Sequence, residues 1–340
     1  MGVGIDIDPR ARHPQRLGYT CPHVPVEILA STGLQPYCLL HGDYELMQYG
    51  TTYARIDACP LVRANIAHIL KESDKYAALV GTTGCDMSRR LFDVVSEATD
   101  IPALLIHMPR TDNFPIYSDE IDWLVQRLDR ILGVSIKDAI AAEIDTWQHA
   151  RGQMRALDKK RYAAPAILTT QDFHKVAGAY YQGLPALTMP SMNEPLTKPR
   201  VYMVGSEISY ESGSFLQLFE DDLTIVGDNI CGLSQFLSVQ VKEHTIAGLK
   251  KAYYNQAPCI YRRPNHQYFN YVAAQLKRRC CHGVIGFTLD YCDAYEFELK
   301  KLEKTLGVPV LRVRTDYAGE KVSQFKTRIA AFGEMLCSRI

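Results

Sequence analysis

Short apolar runs alternate with amphipathic helical stretches in two separate blocks of this chain, and that alternation is the pattern of a parallel α/β sheet laid down twice. In the first block, 24–31 reads as a helix ended by Gly33, and 34–40 as a strand. Residues 60–72 carry apolar side chains at helical spacing, 77–80 is a short buried strand before Gly81, and a helix over 86–98 leads to a strand over 103–106. From 117 to 183 the helical period dominates with few β-branched runs, which predicts a connector of two or three long helices. The proline-rich stretch LPALTMPSMNEPLTKP at 184–199 has no clear period and marks a loop and a boundary. The second block restarts with strands at 200–204, 223–226, 283–287 and 309–313. Its helices fall near 214–221 and over 234–254, 267–279, 294–306 and 319–337.

A chain of 340 residues is long enough for two cores. The expected organisation is an α/β domain over 1–116, a helical connector with its loop over 117–199, and a second α/β domain over 200–340. Two doubly wound parallel sheets of the Rossmann or flavodoxin type then face each other. Ligands of such sheets bind beyond the carboxyl ends of strands where the strand order reverses, so the cleft between the domains is the expected site.

Lysine plus arginine equals aspartate plus glutamate at 38 each, which gives no electrostatic reason to expect nucleic acid or an anionic membrane as partner. A small-molecule substrate fits better. No apolar run reaches the roughly 18–20 residues that cross a bilayer, and 1–16 is polar without a signal-peptide core. The expected location is cytoplasmic, where ten cysteines serve as metal ligands or small buried hydrophobes rather than disulfides.

Cys21, Cys38, Cys59, Cys85, Cys231, Cys259 and Cys292 all stand where an extended segment gives way to a helix or a turn. In Cys21-Pro22, Cys59-Pro60 and Cys85-Asp86 the residue after the thiol suits the first turn of a helix. Such an end carries roughly half a positive charge and draws a thiol from its usual pKa of about 8.5 toward the thiolate that binds metal. The pattern points to a shared metal cluster with iron as its occupant. None of these cysteines has CxxC spacing, so the ligands must converge through the fold.

Other residues weigh less. His23 and Glu27, one helical turn apart, place an imidazole and an acid on one face near Cys21 and are the candidate catalytic pair. His107 follows a buried strand, and Arg89 and Arg90 follow Cys85; a solvated or satisfied role suits each as well as a site role. Cys280 and Cys281 neighbour His282, but adjacent residues on a helix point about 100° apart, so they read as structural, as does Cys337. The segment VGSEISYESG around Gly205 lacks the GxGxxG spacing of a dinucleotide site, and a Walker A pattern is missing from the chain.

The motifs GYTCPHVPVE (18–27), DACPLVRANI (57–66), GTTGCDMSRRLFD (81–93), GDNICG (227–232), DYCDAYEFE (290–298) and TRIAAFGEML (327–336) together resemble the 2-hydroxyacyl-CoA dehydratase superfamily, which also holds benzoyl-CoA reductases and double-cubane cluster proteins. The resemblance spans nearly the whole chain. It implies an oxygen-sensitive iron-sulfur protein of low-potential chemistry, served by a separate dimeric ATP-hydrolysing iron-sulfur activator. It further implies that Cys59, Cys85 and Cys292 hold a 4Fe-4S cluster whose fourth iron is open to the substrate. The further cysteines Cys21, Cys38, Cys231 and Cys259 are similar to the double-cubane branch, where an 8Fe-9S cluster needs six thiolates and leaves one of seven spare. Where the dehydratases usually carry Gly-Ser-Arg, this chain has Gly232-Leu233-Ser234-Gln235, which points away from an acyl-CoA substrate. The implied roles are thus an activator-driven reductase, a dehydratase subunit, or a non-catalytic cluster carrier. The implied assembly is a homodimer or a pairing with a homologous subunit.

Overall fold

The computed structural model describes residues 15–317 and 322–339. The polar start at 1–14 and residues 319–321 of the expected last helix lie outside the described residues. The first sheet is built from β1 (Arg16–Tyr19), β2 (Gln35–Cys38), β3 (Tyr76–Thr82) and β4 (Ala103–Ile106) in the order β2-β1-β3-β4, with every pair parallel. The second uses β5 (Arg200–Gly205), β6 (Thr224–Asn229), β7 (Gly283–Leu289) and β8 (Val310–Thr315) in the order β6-β5-β7-β8, again all parallel. The two sheets therefore repeat one topology, and in each the order reverses between the first and third strands in sequence.

Helices α1 (Val26–Ala30), α2 (Tyr44–Gly50), α3 (Pro60–Lys71) and α4 (Asp86–Ala98) belong to the first half. Helix α3 starts at Cys59 with Pro60 in its first turn, where the missing N–H costs nothing. Helix α4 buries Leu91, Phe92 and Val95 on one face and leaves its charges outside. Three helices then connect the halves: α5 (Phe114–Leu132), α6 (Ile136–Tyr162) and α7 (Thr170–Tyr181). Asn113 caps α5 by accepting from the Ile116 N–H, and Gly133 ends it in the left-handed conformation. Helices α8 (Gly213–Glu220), α9 (Ile246–Tyr254), α10 (His266–Arg278), α11 (Asp293–Leu306) and α12 (Val322–Cys337) complete the second half.

Helix α6 fastens the halves together. Its Arg151 is buried against Glu27 of α1, Nη2 to Oε1 at 2.5 Å, and a second Arg151 nitrogen donates to the Tyr180 hydroxyl at 3.2 Å. Ten residues further along, Arg161 meets Asp228 of β6 at 2.9 Å, and Asp158 takes Arg279, just past α10, at 2.6 Å. Between these ionic anchors Met154 and Leu157, and one turn before them Trp147, are buried in one apolar cluster that runs through both halves. Each anchor is a charge removed from water that stays only because its partner is present.

Two elements escaped the sequence pattern. Strand β1 is four residues long and includes an arginine and a glycine, so it shows no apolar run, yet it is central in its sheet. Its Gly18 is needed because a Cβ there would lie 2.5 Å from Leu79 Cδ2. Helix α2 is short and starts at Asp43, whose side chain accepts from the Leu46 N–H. One expectation is corrected: 234–254 is not a single helix. A 3-10 turn spans Gln235–Ser238, and α9 begins only after Thr245, whose hydroxyl accepts from the Gly248 N–H. Asp228 holds the turn by accepting from the Ser234 N–H at 3.0 Å and hydroxyl at 2.7 Å, while Arg155 donates to the carbonyls of Leu237 and Val239. Those side-chain bonds take the backbone groups that a continuous helix would have used.

Candidate metal centre

The strand ends decide where the thiols stand. Cys38 closes β2, Cys231 lies just past β6, and Cys85 and Cys292 are the residues that start α4 and α11 after β3 and β7. Cys59 starts α3. Cys21 follows β1 but does not begin a helix: α1 starts at Val26 after Pro25, so the expected helix start at Cys21-Pro22 is a turn instead. Cys259 lies in the loop before α10.

A pocket between the sheets is lined by Cys21 and Cys85 of the first half and by Glu207, Cys231, Cys259 and Tyr261 of the second. Cys21, Cys85, Cys231 and Cys259 line it, Cys85 lies within electrostatic reach of Cys21 and Cys259, and the other thiols stand behind them. Cys59, Cys85 and Cys292 each lie within electrostatic reach of the other two. Cys21, Cys231 and Cys259 do likewise. Cys38 is within reach of Cys21 and Cys231 but is packed into the apolar core, with its carbonyl accepting from the Tyr210 hydroxyl at 2.7 Å. Glu207, which sequence reasoning passed over, reaches all seven. Nothing in its local sequence marks it, because its place depends on strands that meet only in the fold.

Burial dominates the electrostatics. It pushes the Cys21 thiol up to about 11 and those of Cys259 and Cys292 to about 12. Cys38, Cys59, Cys85 and Cys231 are raised for the same reason. The expected lowering at helix N-termini is therefore outweighed: a helix end offers a fraction of a charge, while desolvation penalises a whole one. Burial likewise raises the Glu207 carboxyl. The lining arginines do not relieve this, since Arg110 is paired with Asp86 at 3.1 Å and Arg262 with Asp112 at 3.6 Å.

All ten cysteines are free thiols. Among the described residues, no three His, Cys, Asp or Glu side chains are gathered tightly enough for a single metal ion. Thiols brought from both halves to one pocket are the donor type an iron-sulfur group takes, and their ionised forms would repel one another unless positive charge stood between them.

His23 lines the pocket, with Nδ1 3.6 Å from Cys21 Sγ and its carbonyl accepting from the Tyr117 hydroxyl at 2.7 Å. Its Nε2 is buried without a hydrogen-bond partner, and burial lowers its pKa to about 3, so the ring is neutral. Glu27 is not brought to the pocket. One carboxylate oxygen is held by Arg151 and the other accepts from the Tyr253 hydroxyl at 2.7 Å. Tyr261 donates to Cys85 Sγ at 3.4 Å.

The remaining candidates lie apart. His107 is exposed and bonded to Thr83 Oγ1 at 3.0 Å, Arg89 faces Asp86, and Arg90 faces Asp93. Cys280 is exposed at the end of α10, Cys281 packs against a second apolar cluster, and Cys337 is exposed at the end of α12. Gly205 has a positive φ of 143°, and a Cβ there would lie 1.7 Å from the Phe287 carbonyl oxygen, so it serves close strand approach.

A duplicated parallel α/β fold with cysteines at its strand ends defines a class of two-sheet proteins built around a shared pocket. The chain belongs to the family of the 2-hydroxyglutaryl-CoA dehydratase D-component, whose model matches residues 21–336. It is 23% identical to the (R)-phenyllactyl-CoA dehydratase beta subunit of Clostridium sporogenes over 92% of this chain and 90% of that one. It is 21% identical to YjiM of Escherichia coli strain K12, a dehydratase subunit by provisional assignment, over 97% of this chain and 94% of that one. A solved structure of the SBP FpvC from P. aeruginosa with Ni2+ aligns over 96% of this chain and 98% of that one, at a TM-score of 0.25 and 13% identity, too slight a likeness to inform the site. Among the described residues no helix is long and apolar enough to cross a membrane.

Proposed function

We propose that this chain is the iron-sulfur component of an activator-driven, low-potential reductase of the dehydratase family, acting on a small molecule. The observation that carries the reading is that Cys21, Cys85, Cys231 and Cys259 line one pocket, with Cys59 and Cys292 within electrostatic reach of Cys85. Cys59, Cys85 and Cys292 would hold one cubane and Cys21, Cys231 and Cys259 the other, which makes Cys38 the spare seventh thiol. Such a centre supplies electrons at low potential and a Lewis-acidic iron.

The chain's own residues do the rest. The neutral His23 ring offers its free Nε2 to a bound molecule, and the Tyr261 hydroxyl holds Cys85 in place. Glu27 acts at one remove, by fixing α1 and hence the turn that carries Cys21. On the resemblance to the dehydratase superfamily, ATP hydrolysis would fall to a separate dimeric iron-sulfur protein, and the lack of a Walker A pattern in this chain agrees with that. The proposed setting is an anaerobic cytoplasm, and the proposed assembly a homodimer or a pair with a homologous chain.

A second reading is favoured by the names of the relatives, both dehydratase subunits. Here Cys59, Cys85 and Cys292 hold a single 4Fe-4S cluster and a CoA ester loses water. Iron and acid-labile sulfide on protein purified without oxygen separate the two. About eight irons per chain with slightly more sulfide supports the double cubane, and about four supports the dehydratase. No iron after reconstitution overturns both.

A further inference from the structure

The two halves match in topology but not in what surrounds their thiols. The Thr20 N–H donates to the Val80 carbonyl at 3.2 Å and the Ser206 N–H to the Phe287 carbonyl at 2.9 Å. Val80 is the partner of the last residue of β1, and Phe287 of the last residue of β5, so Thr20 and Ser206 are equivalent and Cys21 in the first half is matched by Glu207 in the second. Cys85 and Cys292 are equivalent in turn, since each starts the helix after the third strand of its half. With Cys59 at the start of α3, all three thiols of one set stand at helix N-termini. No helix starts at Cys21, Cys231 or Cys259. Burial weighs on all six, so the helix ends and the hydrogen bonds set the difference between the two sets.

One residue touches both. The Tyr261 hydroxyl donates to Cys85 Sγ at 3.4 Å, and its N–H lies within hydrogen-bonding reach of Cys259. The loop that carries it is fixed on every side. Asn229 donates to the Pro258 carbonyl at 3.1 Å, Gln235 to the Ala257 carbonyl at 2.9 Å, and Arg262 to the Tyr254 carbonyl at 2.7 Å. The Arg263 N–H donates to the Arg110 carbonyl of the first half at 2.5 Å. A loop of the second half is thus held across the pocket with its phenol on a thiol of the first. Two other hydroxyls reach thiols, Ser206 to Cys292 and Thr82 to Cys21. The Ser206 oxygen accepts from the Leu289 N–H at 3.0 Å, which leaves its hydrogen for the sulfur. The set of Cys59, Cys85 and Cys292 therefore has three helix ends and the hydroxyls of Tyr261 and Ser206, where Cys21 has that of Thr82.

We propose that Tyr261 is a positioning residue that raises the reduction potential of the iron held through Cys85, and that the side of Cys59, Cys85 and Cys292 takes the first electron. This rests on the iron-sulfur reading above. An O–H donated to a thiolate sulfur, like a helix N-terminus beside it, favours the state with more negative charge, and the reduced state carries one charge more. The phenol is protonated at neutral pH and donates in both states. The electron comes from a low-potential iron-sulfur donor, and no bond forms or breaks in the step.

The test compares the full-length wild type with Tyr261→Phe and Thr82→Val, each purified without oxygen and reconstituted. Iron and sulfide are counted, folding is checked by thermal melting, and reduction is followed by potentiometric titration with electron paramagnetic resonance. Tyr261→Phe should keep its iron, and its first wave, the one at the most positive potential, should become harder to reduce by about tenfold, which is about 59 mV for one electron. Thr82→Val, whose lost hydroxyl serves Cys21, should leave that wave in place. An unmoved first wave in iron-loaded Tyr261→Phe overturns the proposal, as does a first wave that moves in Thr82→Val. If Tyr261→Phe unfolds or loses iron, Tyr261→3-fluorotyrosine decides. This more acidic phenol keeps the shape and donates more strongly, so the first wave should move to more positive potential, and no shift overturns the proposal. Absence of iron from the wild type would instead strike the iron-sulfur reading itself.

Discussion

The two halves of the molecule share a strand order but build their thiol positions from different local structure. In the first, the chain leaves β2 through α2 and presents Cys59 at the start of α3. In the second, it leaves β6 through a 3-10 turn, a loop and α9, and presents Cys259 from a loop. Thiols from both halves nonetheless line one pocket, Cys21 and Cys85 from the first and Cys231 and Cys259 from the second. The comparison teaches that topology fixes where a donor stands, through the strand ends, while the backbone that carries it is free to differ. Local sequence then sets the side chain there, thiol at Cys21 and carboxyl at Glu207.

That equivalence breaks or sharpens under substitution. The largest expected effect is on metal: if each triad holds its own cubane, Cys59→Ala, Cys85→Ala or Cys292→Ala removes about half of the iron measured on anaerobically reconstituted protein, and the matching changes at Cys21, Cys231 and Cys259 remove the other half. Undiminished iron in the first three would end the comparison.

Next come the anchors of α6, one per half. Arg151→Ala strands the buried Glu27 carboxylate, and Arg161→Ala does the same to Asp228, so each should cost about 3–5 kcal/mol in urea unfolding. Replacing both Arg151 and Glu27 with apolar residues of similar volume should recover most of that loss. A smaller effect follows at the strand crossing. Gly205→Ala forces a Cβ toward the Phe287 carbonyl at a positive φ and should lower stability by roughly 2–3 kcal/mol. Gly133→Ala, with open space around it, should cost only about 1 kcal/mol. Thermal melting distinguishes them. Smallest of all, Cys38→Ala should leave iron content intact and cost about 1 kcal/mol as a small core truncation. Loss of iron there would move Cys38 into a triad.

Much of the fold was legible in the sequence because its helices and most strands are amphipathic or apolar over long enough windows. Helix α4 falls at 86–98 and β4 at 103–106, as the pattern reads. Strand β1 was not legible, since its residues become a strand only when β2 and β3 flank it. The long helix read over 234–254 failed because Asp228 and Arg155, distant in sequence, take up its backbone groups. At the site, Cys59 and Cys85 sit at helix starts as their following residues suggest, while Cys21 does not. Glu27 looked like a pocket acid from its spacing to His23; Arg151, far along the chain, turns it into the core. Glu207 was invisible for the same reason in reverse.

The raised thiol pKa values have a consequence for the protein before it meets any metal. With its pKa near 11, only roughly one Cys21 side chain in ten thousand is ionised at neutral pH, and the unionised thiol is slow toward alkylating agents and peroxides. The exposed Cys280 and Cys337 would be consumed first. The chain without metal is therefore chemically quiet at these thiols and, on the proposed iron-sulfur reading, would become reactive only on loading, when each binding thiol sheds its proton.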